Sequence, residues 1–163
     1  MSETKLLEVS VQGIALDHDR SHPVVLLKTL EDEEVLPIWI GTAEATAIFT
    51  VLAGRSFERP MTHDLLKIII DVLGARVGRI EITGIQNDTY FARIILNRGE
   101  DVFYIDARPS DSIALALRAR APLFIDKELF DKYKRRVNLG EGEDDIDDGL
   151  DDFESNDFDE FEF

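Results

Sequence analysis

The chain contains no cysteine among its 163 residues. Disulfide bonds and thiolate metal sites are therefore excluded, which is consistent with a reducing compartment. Long apolar runs are also missing: the longest weakly polar run, residues 38–54, contains Glu44 and is short for a membrane span. The first residues, Met-Ser-Glu-Thr-Lys, are polar and carry no apolar signal-peptide region. These absences predict a soluble, cytoplasmic protein.

Basic residues are missing from the end of the chain. Residues 139–163 hold 13 acidic residues and no lysine or arginine, whereas residues 1–138 hold 21 acidic and 18 basic residues, a net charge of −3. An acidic block repels itself and buries little apolar surface. We therefore predict a folded domain over residues 1–138 and a disordered acidic tail over residues 139–163. Four phenylalanines are spaced among the tail carboxylates, at positions 153, 158, 161 and 163.

Apolar periodicity indicates the order of helices and strands. The predicted order is three strands, one or two helices, three strands, a helix, a short strand and a last helix over residues 128–137. Short turns between successive strands favour antiparallel pairing. Residues 37–48 correspond loosely to residues 104–115, since each segment is an apolar strand that enters a small-residue helix through a polar cap. The predicted class is α+β, with a mainly antiparallel, roll-like sheet packed with helices and a weak internal duplication.

The chain is organised around the predicted strand-to-helix junction of residues 104–118. Pro109 cannot continue an ordinary strand because it lacks an N–H and its φ is fixed. Ser110 is a candidate helix cap, and Asp111 places a carboxylate on the positive end of the helix. Arg108 and Arg118 have no such local explanation. They are candidates for a structural ion pair with Asp111 or for phosphate contacts, which the planar guanidinium suits.

No glycine-rich phosphate loop, metalloprotease motif or nucleophile elbow is present. The remaining candidates lie at two other helix starts. Glu44 is either a carboxylate favoured by the helix dipole or an acid at the mouth of a pocket. His63, between Thr62 and Asp64, is either a surface histidine or a general base or metal ligand. His18 and His22 lie in a polar turn and carry no specific signal.

Basic residues cluster in the last predicted helix, at Lys127, Lys132, Lys134, Arg135 and Arg136. Three interpretations remain open for this helix: contact with a nucleic-acid backbone, contact with the acidic tail of the same chain, or a solvated face. The tail is also a candidate for binding a protein partner.

Three motifs in order carry a resemblance to a known family. They are Leu-Pro-Ile-Trp-Ile-Gly from Leu36 with Glu44 after it, Arg59-Pro-x-Thr-His-Asp-Leu65, and Asp106-x-Arg-Pro-Ser-Asp-Ser-Ile-Ala-Leu-Ala116. Over roughly residues 5–138 the chain resembles the bifunctional nuclease domain, with Ser112 where alanine is expected. The resemblance implies an α+β domain, often a homodimer, and nuclease activity on both RNA and DNA.

The predicted site combines the candidates from the three junctions. Glu44, His63, Asp64 and Asp111 are predicted acid, base or metal-binding groups, and Arg59, Arg108 and Arg118 are predicted phosphate contacts. Phosphodiester hydrolysis would be assisted by Mg²⁺ or another divalent cation. The alternative function is a non-enzymatic binding or regulatory module that recognises a phosphorylated ligand or a protein partner.

Overall fold

Two three-stranded meanders, each followed by a helix, form the framework of the protein. The structure is a computed structural model and describes residues 5–17, 21–31 and 33–137. The elements are β1 (Leu6–Leu16), β2 (Pro23–Thr29), β3 (Val35–Trp39), α1 (Thr42–Leu52), α2 (Thr62–Val72), β4 (Arg76–Gln86), β5 (Thr89–Arg98), β6 (Asp101–Ala107), α3 (Pro109–Ala119), β7 (Leu123–Asp126) and α4 (Lys127–Tyr133). His18 and the acidic tail predicted over residues 139–163 lie outside the described residues.

The described strands form one seven-stranded sheet in the order β3-β2-β1-β7-β4-β5-β6. Strand β7 joins the two meanders, pairing antiparallel with β1 and parallel with β4. Every other pairing between named strands is antiparallel. The α+β class with a mostly antiparallel sheet is therefore confirmed. Pro37 lies in β3, an edge strand of this sheet, where a residue without an N–H is tolerated.

The helices cover one face of the sheet. Val25 and Leu27 of β2, Ile80 and Ile82 of β4, and residues 113–116 of α3 belong to one buried apolar cluster. Because side chains alternate along a strand, Val24 and Leu26 lie on the opposite face, which we call the outer face. There they form a second, smaller cluster with Val35, against which Val137 packs.

The last helix is shorter than predicted. Helix α4 ends at Tyr133, and Lys134 has an extended backbone, with φ −64° and ψ 148°. Arg135 then pairs with Val35 in an isolated antiparallel bridge. The prediction of a helix over residues 128–137 is wrong at its C-terminal end, because Arg135 and Arg136 follow the helix rather than extend it.

Helix α2 presents its apolar residues to solvent. Its only buried residue is Ile70. Large apolar side chains along it and directly after it are between 38% and 79% exposed: Leu65, Leu66, Ile68, Ile69, Val72 and Leu73. The edge strand β6 also exposes apolar residues on both of its faces, from Val102 to Ile105. An exposed apolar surface of this size is typical of an interaction site.

No helix in the described part of the chain is both long enough and apolar enough to cross a membrane.

Candidate functional site

The strand-to-helix junction after β6 is built by its backbone rather than by a serine cap. Arg108 is the N-cap of α3, with an extended backbone (φ −68°, ψ 145°), and Pro109 occupies the first turn, where its missing N–H costs nothing. The prediction that Ser110 caps the helix is wrong, since Ser110 is buried one position inside the helix. Ser112 donates a hydrogen bond from Oγ to the Arg108 carbonyl at 2.9 Å, which ties the helix start together.

Arg108 bridges two carboxylates from different helices. Its Nε donates to Asp111 Oδ2 at 2.7 Å, and its NH2 group lies 2.9 Å from Glu44 Oε1 at the start of α1. The Arg108 side chain is nevertheless 64% exposed. The guanidinium is therefore oriented by protein groups while one part of it still faces solvent.

Glu44 folds back over the start of its own helix. A Cβ at Gly41 would lie too close to the Glu44 carboxylate, so a side chain there would have to displace it. Gly41 is the N-cap of α1, and its φ of −77° is a conformation that any residue can adopt. Glycine matters here because the absence of a side chain leaves room for the Glu44 carboxylate. Gly41 is a residue that sequence reasoning placed only at a helix start.

His63 joins the same network from α2. Its Nε2 lies 3.0 Å from Asp111 Oδ1, and its side chain is only 13% exposed. Since an ionised carboxylate can only accept, this contact assigns the proton of a neutral imidazole to Nε2. The lone pair then lies on Nδ1, which makes no hydrogen bond to any described residue. Asp111 thus orients His63 as a carboxylate orients the histidine of a catalytic triad.

The electrostatics keep Asp111 ionised. Burial raises the pKa of Asp111, but the hydrogen bonds and positive charge of Arg108, together with His63, outweigh it and leave the pKa below its ordinary value of 3.8. The hydrogen bond and negative charge of Asp111, followed by Glu44, raise the pKa of Arg108. The three junctions therefore meet in one network, which we call the junction cluster: Glu44, His63, Arg108 and Asp111.

Asp64 and Arg118 form a second, structural pair. Arg118 is only 7% exposed, and its Nε donates to Asp64 Oδ1 at 2.6 Å. Its NH1 group donates to the carbonyls of Ala47 and Ala114, at 3.0 and 2.9 Å. Asp64 also accepts from the N–H of Met61, the N-cap of α2, at 2.9 Å. Arg118 of α3 therefore links α1 and α2 to α3, and its guanidinium donates hydrogen bonds to acceptors within the protein.

Arg59 lies in the loop before α2 and is exposed, and no described residue forms an ion pair with it. Among the predicted site residues, the structure brings Glu44, His63, Arg108 and Asp111 into one hydrogen-bonded network and places Asp64 with Arg118 beside it. Arg59 is four residues from His63 along the chain.

A divalent cation needs several oxygen or nitrogen ligands around one point. Within the described ranges, no three His, Asp or Glu side chains converge closely enough to hold a metal ion. The Glu44 and Asp111 carboxylates are instead bridged by Arg108. The junction cluster as it stands does not fit a metal site, and the predicted Mg²⁺ stays a prediction.

A serine, a histidine and an aspartate also meet in the turn before β2. Ser21 Oγ lies 2.8 Å from His22 Nδ1, and Asp17 Oδ2 lies 3.2 Å from that same nitrogen. A catalytic triad uses the two different ring nitrogens, so this arrangement does not match one. Asp17 also accepts from the backbone N–H groups of Ser21 and His22, which identifies the group as a turn.

Sequence reasoning missed a charge cluster on the outer face of the sheet. Glu81 of β4 is 1% exposed and binds both Arg79 and Arg93. The alternation of β4 and β5 places arginines at outward positions, but the buried carboxylate beneath them carries no local signal.

Comparison with known proteins gives a family assignment. Residues 25–138 match the family model of the bifunctional nuclease domain. The chain is 38% identical to "Uncharacterized protein Rv1829" of Mycobacterium tuberculosis over 120 residues, which cover 74% of this chain and 71% of that protein. It is 28% identical over 123 residues to "Bifunctional nuclease 1" and "Bifunctional nuclease 2" of Arabidopsis thaliana. Those alignments cover 72% of this chain but only 38% and 37% of the plant proteins.

Proposed function

The chain belongs to the bifunctional nuclease domain family, and from this premise we propose that it hydrolyses phosphodiester bonds of RNA and DNA at the junction cluster. The observation that carries the proposal is the network in which Asp111 holds His63 through one oxygen and Arg108 through the other. One carboxylate thereby orients a base that can accept a proton from water and a cation that can stabilise charge on the phosphate.

In the proposed reaction, His63 accepts a proton from water at Nδ1 as the water oxygen attacks phosphorus. Asp111 keeps the opposite nitrogen protonated and stabilises the imidazolium that forms. Arg108 donates to the non-bridging phosphate oxygens and stabilises negative charge as the bond from phosphorus to the leaving oxygen breaks. The leaving alkoxide takes a proton from solvent, and His63 later returns its proton to solvent. Glu44 orients Arg108.

We assign to Arg59 the additional positive charge that the cluster lacks. Glu44 and Asp111 together carry two negative charges against the single positive charge of Arg108, so the cluster with neutral His63 has a net charge of −1. Exposed Arg59 adds a positive charge at the loop leading into α2. The proposal therefore gives the phosphate contacts to Arg108 and Arg59, and gives Arg118 and Asp64 the role of holding the three helices together.

The test is cleavage of labelled single-stranded RNA and DNA by the full chain and by His63→Asn, Arg108→Gln and Arg98→Gln, purified in parallel. Loss of a general base lowers the rate by about 10²–10⁴-fold, and loss of one charge-stabilising donor by about 10²–10³-fold. Arg98→Gln is the matched control, because Arg98 is an exposed arginine of β5 whose carboxylate neighbour, Asp101, is 4.0 Å away. Equal traces of product from all four proteins would identify a contaminating nuclease and reject the proposal.

The same assay, run with chelator, with Mg²⁺ and with Mn²⁺, tests the predicted cation. Measuring oligonucleotide binding beside cleavage tests the alternative of a binding or regulatory module. Arg108-dependent binding without Arg108-dependent cleavage would favour that module.

Cytoplasmic location remains a prediction.

We also propose that the protein is a homodimer whose subunits meet through the apolar surface of α2. A second copy offers the same apolar surface, so a two-fold interface removes both surfaces from water at once. Light scattering after size exclusion should give twice the chain mass, and Ile69→Glu should give the single chain mass. Leu30→Glu, at a turn remote from α2 where the side chain is 93% exposed, should leave the mass unchanged. A monomeric wild type would reject this interface.

A further inference from the structure

A buried carboxylate fixes two arginines on the outer face of the sheet. Glu81 Oε1 accepts from Arg79 Nε at 2.6 Å, and Oε2 accepts from Arg93 Nε at 2.6 Å. Glu81 itself is 1% exposed, whereas Arg79 and Arg93 are 45% and 47% exposed. The two guanidinium groups are therefore held side by side over their counter-ion, and their remaining N–H groups face solvent.

An aromatic ring and a third arginine extend this region. The Arg93 guanidinium lies 5.4 Å from the centroid of the Tyr104 ring, and Tyr104 is 62% exposed. Arg76 of β4 pairs with Asn97 of β5, which by alternation lies on the outer face. We call Arg76, Arg79, Arg93 and Tyr104 the arginine surface. The carboxylates of its three strands on this face are Glu81, already neutralised, and Asp106, which lies opposite Arg93.

The chain enters its acidic segment on the same face. Val137 packs against the outer cluster of Val24, Leu26 and Val35, on β2 and β3. Arg135 bridges to the free edge of β3, and β5 is five strands from β3 in the sheet order, so the chain is six strand spacings, about 29 Å, from β5. Nine extended residues span about 30 Å. Most of residues 139–163 would remain available for contact after the chain reaches the arginine surface.

Lys127 and Lys134 near α4 are a poorer match for the tail, because each has its own carboxylate partner, whereas Arg79 and Arg93 share the single carboxylate of Glu81. Lys127 pairs with Asp131, and Lys134 lies 2.9 Å from Glu34. The arginine surface carries three guanidinium groups and an exposed aromatic ring, which complement a segment of 13 carboxylates interspersed with phenylalanine.

We propose that the acidic segment 139–163 docks on the arginine surface of its own chain. Its carboxylates accept from the outward N–H groups of Arg79 and Arg93, and its phenylalanines contact Tyr104. Tethering gives the segment an effective concentration on the order of millimolar, so that individually weak contacts suffice. This inference does not depend on the proposed catalytic function.

The absence of cysteine allows a direct test in the full chain. Ser155→Cys provides a single attachment point for a nitroxide, whose unpaired electron broadens the signals of nearby amides. In ¹⁵N-labelled protein we expect the amides around Arg93 and Tyr104 to lose intensity, and the amides of α4 to keep it. Loss confined to α4, or no selective loss, would overturn the proposal.

A mixture of ¹⁵N-labelled chain without nitroxide and unlabelled chain with nitroxide identifies the donor of the tail. The proposal requires that the amides of the labelled chain stay sharp. Broadening in this mixture would show that the tail docks on a second copy, and would reject docking within one chain.

The matched variants share their change in net charge. The triple variant Arg79→Gln, Glu81→Gln, Arg93→Gln removes both guanidiniums together with their counter-ion, so that no unpaired charge is buried, and it lowers the net charge by one. Arg98→Gln, an outlying β5 position on the helix-bearing face, also lowers it by one. We expect the triple variant to abolish the selective broadening and Arg98→Gln to retain it, with both spectra remaining dispersed. Broadening that survives in a folded triple variant would overturn the proposal.

Discussion

At the residue scale, Gly41 and Glu44 act as one unit. The carboxylate that reaches Arg108 occupies the space that a Cβ at Gly41 would need. Gly41→Ala should therefore displace the end of a flexible side chain while costing only about 1 kcal/mol at a helix N-cap. Its effect on catalysis should equal that of Glu44→Gln, because both changes release Arg108 from the same contact.

The double variant provides the measurement. Cleavage rates of Gly41→Ala, Glu44→Gln and the double variant form a cycle, and two changes that disrupt one interaction are not additive. The double variant should be no slower than the slower single variant. Additive losses would show that Gly41 and Glu44 act independently.

Arg118 differs from Arg108 in what its guanidinium contacts. Arg108 is largely exposed, whereas Arg118 is buried between Asp64 and two helix carbonyls. Arg118→Met removes hydrogen bonds to three acceptors on α1, α2 and α3, and should lower the free energy of unfolding by about 2–4 kcal/mol. Urea unfolding checks this value, with Arg98→Met expected within about 0.5 kcal/mol of wild type. Equal stabilities would show that Arg118 is dispensable for packing.

At the element scale, α2 is attached to the protein through few side chains. Ile70 is its only buried residue, and Asp64 and His63 connect it to α3 through Arg118 and Asp111. Ile70→Ala should lower the free energy of unfolding by about 2–4 kcal/mol at every protein concentration. Val72→Ala should affect only the part of the stability that depends on concentration, since association stabilises a folded chain by mass action. Thermal unfolding over a hundredfold range of protein concentration separates these two effects. The same dependence on concentration in both variants would contradict a role of Val72 in subunit association.

The element order was predictable because local signals determine it. Apolar periodicity and short turns predicted the two meanders. Gly54 and Gly74 follow the first two helices in a left-handed conformation, with φ of +63° and +70°, as glycines commonly do at helix ends. The helix starts were less predictable: Ser110 was expected to cap α3, and Arg108 occupies that position.

The site was predictable only in part, because its contacts join distant parts of the chain. Motif position indicated Glu44, His63, Arg108 and Asp111, but no local pattern pairs His63 with Asp111 or Asp64 with Arg118, which are 48 and 54 residues apart. The apolar residues of α2 look the same in sequence whether they face a core or a partner. Ser112, which stands where the family resemblance predicts alanine, donates to the Arg108 carbonyl.

At the scale of the whole molecule, buried and partly buried carboxylates couple stability to pH. Burial opposes ionisation of Asp64, Asp111 and Glu81, yet arginine contacts, with the Met61 N–H at Asp64 and His63 at Asp111, leave the pKa of each below its ordinary value. The ordinary values are 3.8 for aspartate and 4.5 for glutamate. The folded chain therefore holds fewer protons than the unfolded chain through this window, and the free energy of unfolding increases with pH.

The expected result is full stabilisation above about pH 5 and a progressive loss as the pH falls through 4.5 and 3.8 toward the lowered values. Urea unfolding at pH 6, 4.5 and 3 measures the free energy at each point. Asp111→Asn cannot ionise, so it should be less stable than wild type at pH 6 and should lose less stability on acidification. The 13 carboxylates of the tail make the same contribution in wild type and in Asp111→Asn. The difference between wild type and Asp111→Asn cancels that contribution, so parallel curves for the two proteins from pH 6 to pH 3 would show that the Arg108 and His63 contacts do not hold Asp111 ionised.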